Sequence, residues 1–282
     1  MTTAASRFLG SAVAMAAGLH LSFDRDFIIQ QMDALYRRQE LLQRAGRRIL
    51  ENPLTIECDG LAEVRRVLGA LDVHKVVVAG GLVGLTTATI LALRSLGLKI
   101  ATVFGNLGEV HHARLAAAGI ALVDLRLHNK FALFDRLRNL QAQGYLLALR
   151  CDVAAGSHKC RFLGYDVTCS NLIDMYARIN ACTVVPLDSR LISEREMTLT
   201  CGEPLRGPGE TTQPLLSQLE SSIHRDPVNY LWSSTSIIFS DTRAVRNGLS
   251  YLPDIVAWRE ERRGTDQTAV KTASAAGCVS PA

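Results

Sequence analysis

The chain has 282 residues, 48% of them hydrophobic, and a net charge of +4. That length suits one large domain or two small ones with a full-sized core. The charge is too small to argue for a nucleic-acid partner, and no DNA binding is expected. The basic run at Arg259, Arg262 and Arg263 reads as a solvated face. The seven cysteines are odd in number and contain no Cys-x-x-Cys pair, so neither a disulfide framework nor a zinc knuckle is indicated and no metal is expected. A reducing, cytoplasmic compartment fits this usage.

In chain order, the first segment of note is Phe8 to Leu21, which is mostly apolar. At about 14 residues it is shorter than the roughly 20 that cross a bilayer. A helix packed on the body is expected, or one held peripherally at the inner face of a membrane. Residues 24 to 51 read as a long helix, with Ile28, Met32, Leu35, Leu42, Ala45 and Ile49 on one stripe and Asn52-Pro53 at its end. A short helix follows over Leu61 to Leu71. Residues 1–72 are thus expected to form a helical segment packed on a core spanning 73–258.

In the core, short apolar runs alternate with helical patterns. Strands are expected at Lys75–Ala79, Leu98–Phe104, Ile120–Leu125 and Tyr145–Cys151. Helices are expected at Leu85–Leu96 and Phe131–Gln143. The pattern continues with a helix at Cys169–Ile179, strands at Thr183–Leu187 and Arg195–Cys201, and a helix at Pro214–His224. Buried parallel strands read this way, so the fold class is α/β, with a mostly parallel central sheet flanked by helices. Residues 259–282 hold almost nothing to bury and read as a disordered tail.

The segment Val76 to Phe104 runs from a strand through Ala79-Gly80-Gly81-Leu82-Val83-Gly84 into a helix and a second strand. That is the setting of a dinucleotide-binding loop, and an oxidoreductase remains an alternative. The first glycine of Gly-x-Gly-x-x-Gly is replaced by Ala79, and Gly105-Asn106 stands where the ribose-binding acid belongs. No FAD or NAD(P) binding is therefore expected, and no other cofactor is indicated.

From Met32 to Trp232 the order of features resembles the lipid A/lysophospholipid acyltransferase family. Gln143-Gly144 leads through an apolar strand to Asp152, and Phe162-Leu163-Gly164 stands at the family's aromatic-x-Gly turn. Ala181 to Pro186 reads Ala-Cys-Thr-Val-Val-Pro, and Leu219-Glu220-Ser221-Ser222-Ile223 leads to Pro227 and Trp232. The resemblance implies an acyltransferase-like fold and activity. The family's base and carboxylate, in a His-x-x-x-x-Asp/Glu motif, align with Gly81 and Thr86, or with Gly80 and Leu85. None of the seven histidines has an acid five residues on.

Three explanations stay open. The chain is a non-catalytic relative that binds a ligand or partner. Alternatively, it transfers an activated acyl or aminoacyl group to a small acceptor that needs no strong base, and orientation supplies much of the rate. Or it has rebuilt the site from other residues. Its donors would be an acyl carrier protein, a coenzyme A thioester or an aminoacyl-tRNA.

The candidate catalytic residues are His158, as a replacement base, and Asp152, in the family's acidic position. Gly81, Thr86, Arg150 and Arg161 are candidates for substrate binding. His111 and His112, beside Glu109, are candidates for substrate or metal contact or for a base, against an exposed pair at a helix start. Cys151 or Cys160 as an acyl-accepting nucleophile stands against a small buried side chain.

Overall fold

The computed structural model describes residues 25–51, 57–81, 86–104, 109–127, 129–153, 156, 158–206 and 210–230, together with Ala12 and Met15. Helix α1 spans Arg25–Glu51, followed by strand β1 (Glu57–Asp59) and helix α2 (Leu61–Gly69). Then come β2 (Val76–Gly80), α3 (Thr86–Ser95), β3 (Lys99–Phe104), α4 (Glu109–Ala117) and β4 (Ala121–Asp124). Helix α5 (Lys130–Ala142) leads to β5 (Tyr145–Arg150), and β6 (His158–Phe162) and β7 (Tyr165–Cys169) form a hairpin. Helix α6 (Leu172–Asn180), β8 (Thr183–Leu191), β9 (Glu196–Cys201) and α7 (Thr212–Arg225) complete the order.

The main sheet has seven strands in the order β1-β9-β8-β2-β5-β3-β4. Strands β8, β2, β5, β3 and β4 are mutually parallel. The β8–β9 hairpin is antiparallel, and β1 pairs in parallel with β9. The expected α/β class and mostly parallel sheet are therefore observed. Residues 57–59, in the expected helical segment, also add a strand to this sheet.

Alternation along β2 explains why both faces are covered. Val77 and Ala79 pack into a core with Leu137, Tyr176, Leu216 and Leu219 from α5, α6 and α7. Val76 and Val78 pack into a second core with Val64, Leu93 and Leu115 from α2, α3 and α4. Burying both faces of a strand requires an apolar run rather than a polar–apolar repeat. Buried Gln141 ties the layers at the amino end of β2: it donates to the Val76 carbonyl and accepts from the Tyr176 hydroxyl, each at 2.9 Å.

Helix α1 docks across the β8–β9 turn. Arg38 donates to the Leu191 carbonyl at 2.6 Å, and Arg44 and Arg48 lie 3.0 and 3.4 Å from Glu194. Of the Phe8–Leu21 segment, Ala12 and Met15 are helical and fully buried in the same core as Met32 and Leu35. Among the described residues, no helix is long and apolar enough to cross a membrane. Trp232 and the 259–282 tail lie outside the described residues.

The topology marks one place in the sheet. The connection from β2 runs through α3 on one face toward β3, and the connection from β5 runs through α6 on the other face toward β8. Adjacent parallel strands whose connections leave in opposite directions open a crevice at their carboxyl ends. Here that crevice lies above Gly80–Gly81 and Arg150–Cys151.

Two neighbouring glycines at this point face different constraints. A Cβ at Gly80 would stand 2.5 Å from the backbone carbonyl oxygen of Leu187, whereas one at Gly81 would meet the Leu219 methyl groups at 2.5 and 2.6 Å. A side chain can rotate away and a strand backbone cannot. Gly80→Ala is expected to cost about 1–3 kcal/mol, with the smaller loss at Gly81→Ala. Urea unfolding of both variants checks the order.

Candidate functional site

A cleft of about 260 Å³ opens where the switch point meets α7. Its floor is Ala79, Gly80, Gly81 and Cys151. Its walls are Pro186 to Asp188 of β8, Thr200 and Cys201 of β9 with Gly202, and Leu215, Gln218, Leu219, Ser222 and Arg225 of α7. A narrower crevice of about 40 Å³ lies on the other side of the same glycines, lined by Thr89, Thr102, Arg150 and Ser189 among others. The Thr89 and Ser189 hydroxyls are 2.7 Å apart and hydrogen-bonded.

Strand alternation sets which polar groups reach which side. Along β8, Val184 faces the α7 layer and Val185 the α3 layer, so Asp188 points to α7 and Ser189 to α3. Asp188 accepts a short hydrogen bond from the Ser222 hydroxyl at its Oδ2, and its buried Oδ1 has no partner among the described residues. Burial pushes its carboxyl above the usual range, against the opposing pull of the Ser222 hydroxyl, the Ser189 backbone N–H and the Arg225 charge. A partly desolvated carboxylate in a cleft is the arrangement by which a protein obtains a base effective near neutral pH. Burial also raises the Cys201 thiol, to about 11.

Arg150 and Asp152 do come together, by a different route from the cleft. Asp152 is fully buried, takes the Arg150 guanidinium at 3.1 and 3.2 Å on Oδ1, and accepts from the Tyr230 hydroxyl at 3.1 Å on Oδ2. Both of its oxygens are thus committed inside the protein. Arg150 spans from this buried acid to the narrow crevice.

His158 stands on the β6–β7 hairpin with its Nε2 2.8 Å from Glu210. It does not line either crevice at the glycines, and no histidine is among the described residues that do. Arg161 belongs to the same hairpin, where its backbone N–H donates to Gln213 and its carbonyl accepts from Gln213, each at 2.8 Å. His112 is exposed on α4, edge-on to Phe104 with ring centroids 5.5 Å apart. The side chains of Thr86 and His111, and residues 82–85 that contain the rest of the glycine loop, lie outside the described residues. Burial raises the Cys151 thiol well above its ordinary range and raises the Cys160 thiol too, which disfavours both as free thiolate nucleophiles when no metal is bound.

Sequence reading therefore finds the floor of the cleft, at Gly81, and misses Asp188, Ser222 and Cys201 on its walls. One signal is present. The apolar run Val184-Val185-Pro186-Leu187 is followed at once by Asp188, an acid on a strand that continues to Leu191 rather than ending at Leu187.

No protein-family model matches the chain, and no curated protein matches it in sequence. The geometry of the site itself therefore carries its functional reading.

The Arg150–Asp152–Tyr230 group yields a stability test. Arg150→Leu strands a buried carboxylate without its cation and is expected to cost about 3–5 kcal/mol. Tyr230→Phe removes one hydrogen bond to the same acid and is expected to cost about 1–3 kcal/mol. Denaturant midpoints for the two variants, at unchanged m-value, check the order.

Proposed function

We propose that the cleft above Gly80 and Gly81 is a substrate site in which this chain transfers an acyl or aminoacyl group from an activated donor to a small nucleophile. Asp188 acts there as the base that the missing histidine would otherwise supply. The observation that carries the proposal is a half-buried carboxylate, raised by desolvation and with one oxygen unpartnered among the described residues, on a residue of the switch-point cleft wall. The resemblance to the lipid A/lysophospholipid acyltransferases supports it through position: Gly81, aligned with that family's base, is on the floor of the cleft, and Pro186, from the matching Val-Val-Pro, is on its wall.

The chemistry rests on the groups present. The acceptor's N–H or O–H approaches Asp188, whose carboxylate takes the proton as the nucleophile attacks the donor carbonyl. The new C–N or C–O bond forms, and the tetrahedral adduct collapses by breaking the C–S bond of a thioester or the C–O bond of an aminoacyl ester. The proton then passes from Asp188 to the leaving thiolate or alkoxide. Ser222 holds the carboxylate through Oδ2, while Oδ1 is unpartnered among the described residues but screened from solvent, so the acceptor reaches it only when the carboxylate turns toward the cleft. A carboxylate is a weaker base than imidazole, so amines and other acceptors reactive at neutral pH are the favoured class. The donor's carrier is an acyl carrier protein, coenzyme A or a tRNA, and the chain works in the cytoplasm with peripheral contact at the inner membrane face.

The dinucleotide reading finds less support. In that fold the strand after the glycine loop lies beside the first strand and brings its acid to the ribose. Here β5 separates β2 from β3.

Purified protein is assayed for transfer from acyl-thioester and aminoacyl donors to a panel of amine and hydroxyl acceptors. Asp188→Asn keeps the Ser222 hydrogen bond and loses the base, so turnover is expected to fall by about 10²–10⁴-fold. Activity of the native chain is expected to rise with pH through the raised range of Asp188, since the ionised form is the active one. Undiminished transfer by Asp188→Asn overturns its role. Ligand binding with no transfer to any acceptor moves the reading to a non-catalytic binding protein of the same fold.

A further inference from the structure

A second cluster of chemistry-bearing side chains lies away from the cleft, where the β6–β7 hairpin meets the segment entering α7. His158 and Cys160 are two residues apart on one strand and so share a face. A ring nitrogen of His158, the Cys160 Sγ and a carboxylate oxygen of Glu210 all lie within 4.8 Å of one another. Glu210 is 50 residues from Cys160 in sequence, so the fold, and not local spacing, assembles the group. The register adds a fourth group: Cys169 pairs directly across from His158, on the same face, with its Sγ 3.0 Å from that of Cys160.

We infer that His158, Cys160 and Glu210 form a divalent transition-metal site, with zinc as its metal, in which Cys169 supports the Cys160 sulfur from behind. One imidazole nitrogen, one thiolate and one carboxylate are the donor types zinc accepts, at about 2.0–2.2 Å for N and O and about 2.3 Å for S. Tetrahedral geometry at those lengths sets donors roughly 3.3–3.8 Å apart. The observed spread brackets that range. His158 and Glu210, hydrogen-bonded at 2.8 Å, need to part by less than about 1 Å to admit the ion.

Three protein ligands leave the fourth position open to water or an exogenous group, the pattern of an accessible zinc. Half-exposed Glu210 and partly exposed His158 give the ion a route from solvent, while Cys160 and Cys169 are buried beneath. Cys169 lies outside the set of mutually close donors and acts as a positioning residue, since its S–H can donate to the Cys160 sulfur. The ion would fasten the hairpin to the start of α7, beside the Arg161–Gln213 pair of hydrogen bonds. The Cys-x-x-Cys criterion misses the site because its three donors come from a strand and a distant loop.

The test uses the full chain, stripped with chelator under reducing conditions and titrated with zinc(II), then with cobalt(II) as a spectroscopic substitute. One equivalent of zinc per chain is expected. Cobalt is expected to give intense visible bands of four-coordination and a near-ultraviolet band of thiolate ligation. Cys160→Ser should abolish the thiolate band, and Glu210→Gln, at an exposed position, should abolish tight binding in a chain whose circular dichroism is native. Cys169→Ala should weaken binding by roughly 10–100-fold while retaining the thiolate band. Cys58→Ser, away from the cluster, should change nothing. Absence of stoichiometric binding, a thiolate band that survives Cys160→Ser, or a Cys160–Cys169 disulfide persisting in the reduced chain each overturns the inference.

Discussion

At the carboxyl end of β2 the backbone of Gly80 passes so close to β8 that a Cβ would stand 2.5 Å from the Leu187 carbonyl oxygen. The rest of the site depends on that closeness. It holds β8 against the end of β2 while β8 runs on to Leu191 in pairing with β9, which places Asp188 and Ser189 beside the strand end on opposite faces. It also explains why no base projects from this point of the sheet. At Gly81, the next residue, the Cβ position is already filled by Leu219 of α7. A histidine here, as the resemblance would place it, requires α7 to yield that space. Neither glycine's Cβ position opens into free space, so the close approach of β8 and α7 shapes the cleft floor, and its chemistry has to come from the walls.

The two acids near this end of the sheet show how environment divides roles. Asp152 is wholly buried and answered on both oxygens, by Arg150 and by Tyr230. It fixes the loop after β5 and holds Arg150 at the rim of the narrow crevice. Asp188 is only half-buried and lines the larger cleft; Ser222 answers its Oδ2, and its inward Oδ1 has no partner among the described residues. A buried acid with both oxygens satisfied is structural, and a half-buried one with an oxygen unanswered is held at a cost that function can justify.

Much of the fold is legible in the sequence because β2, β3, β5 and α5 are governed by local pattern. An apolar run flanked by polar residues, or a stripe closed by a glycine, is the direct imprint of two-sided or one-sided burial. Other elements leave fainter marks. The β6–β7 hairpin carries His158 and Cys169 in alternation with exposed residues, and its sequence reads as a loop. Its turn is made by Leu163 and Gly164, both at positive φ, and only the glycine announces such a turn. Strand β1 is three residues long and exists through its pairing with β9. The site is less legible than the fold for the same reason. Gly81 is marked by its place at a strand end, while Asp188 with Ser222, and His158 with Glu210, are pairs made by residues 34 and 52 positions apart.

The most direct test of the central claim is whether ligand binds at the glycine-floored cleft. Backbone amide spectra of ¹⁵N-labelled protein, titrated with a non-transferable ketone analogue of an acyl thioester, report on this without requiring turnover. Saturable shifts are expected at Gly80, Gly81 and Gly202 and at Asp188 on the facing wall, with the amides of β4 at the far edge unmoved. Saturable shifts elsewhere, with those four amides unchanged, would contradict the claim.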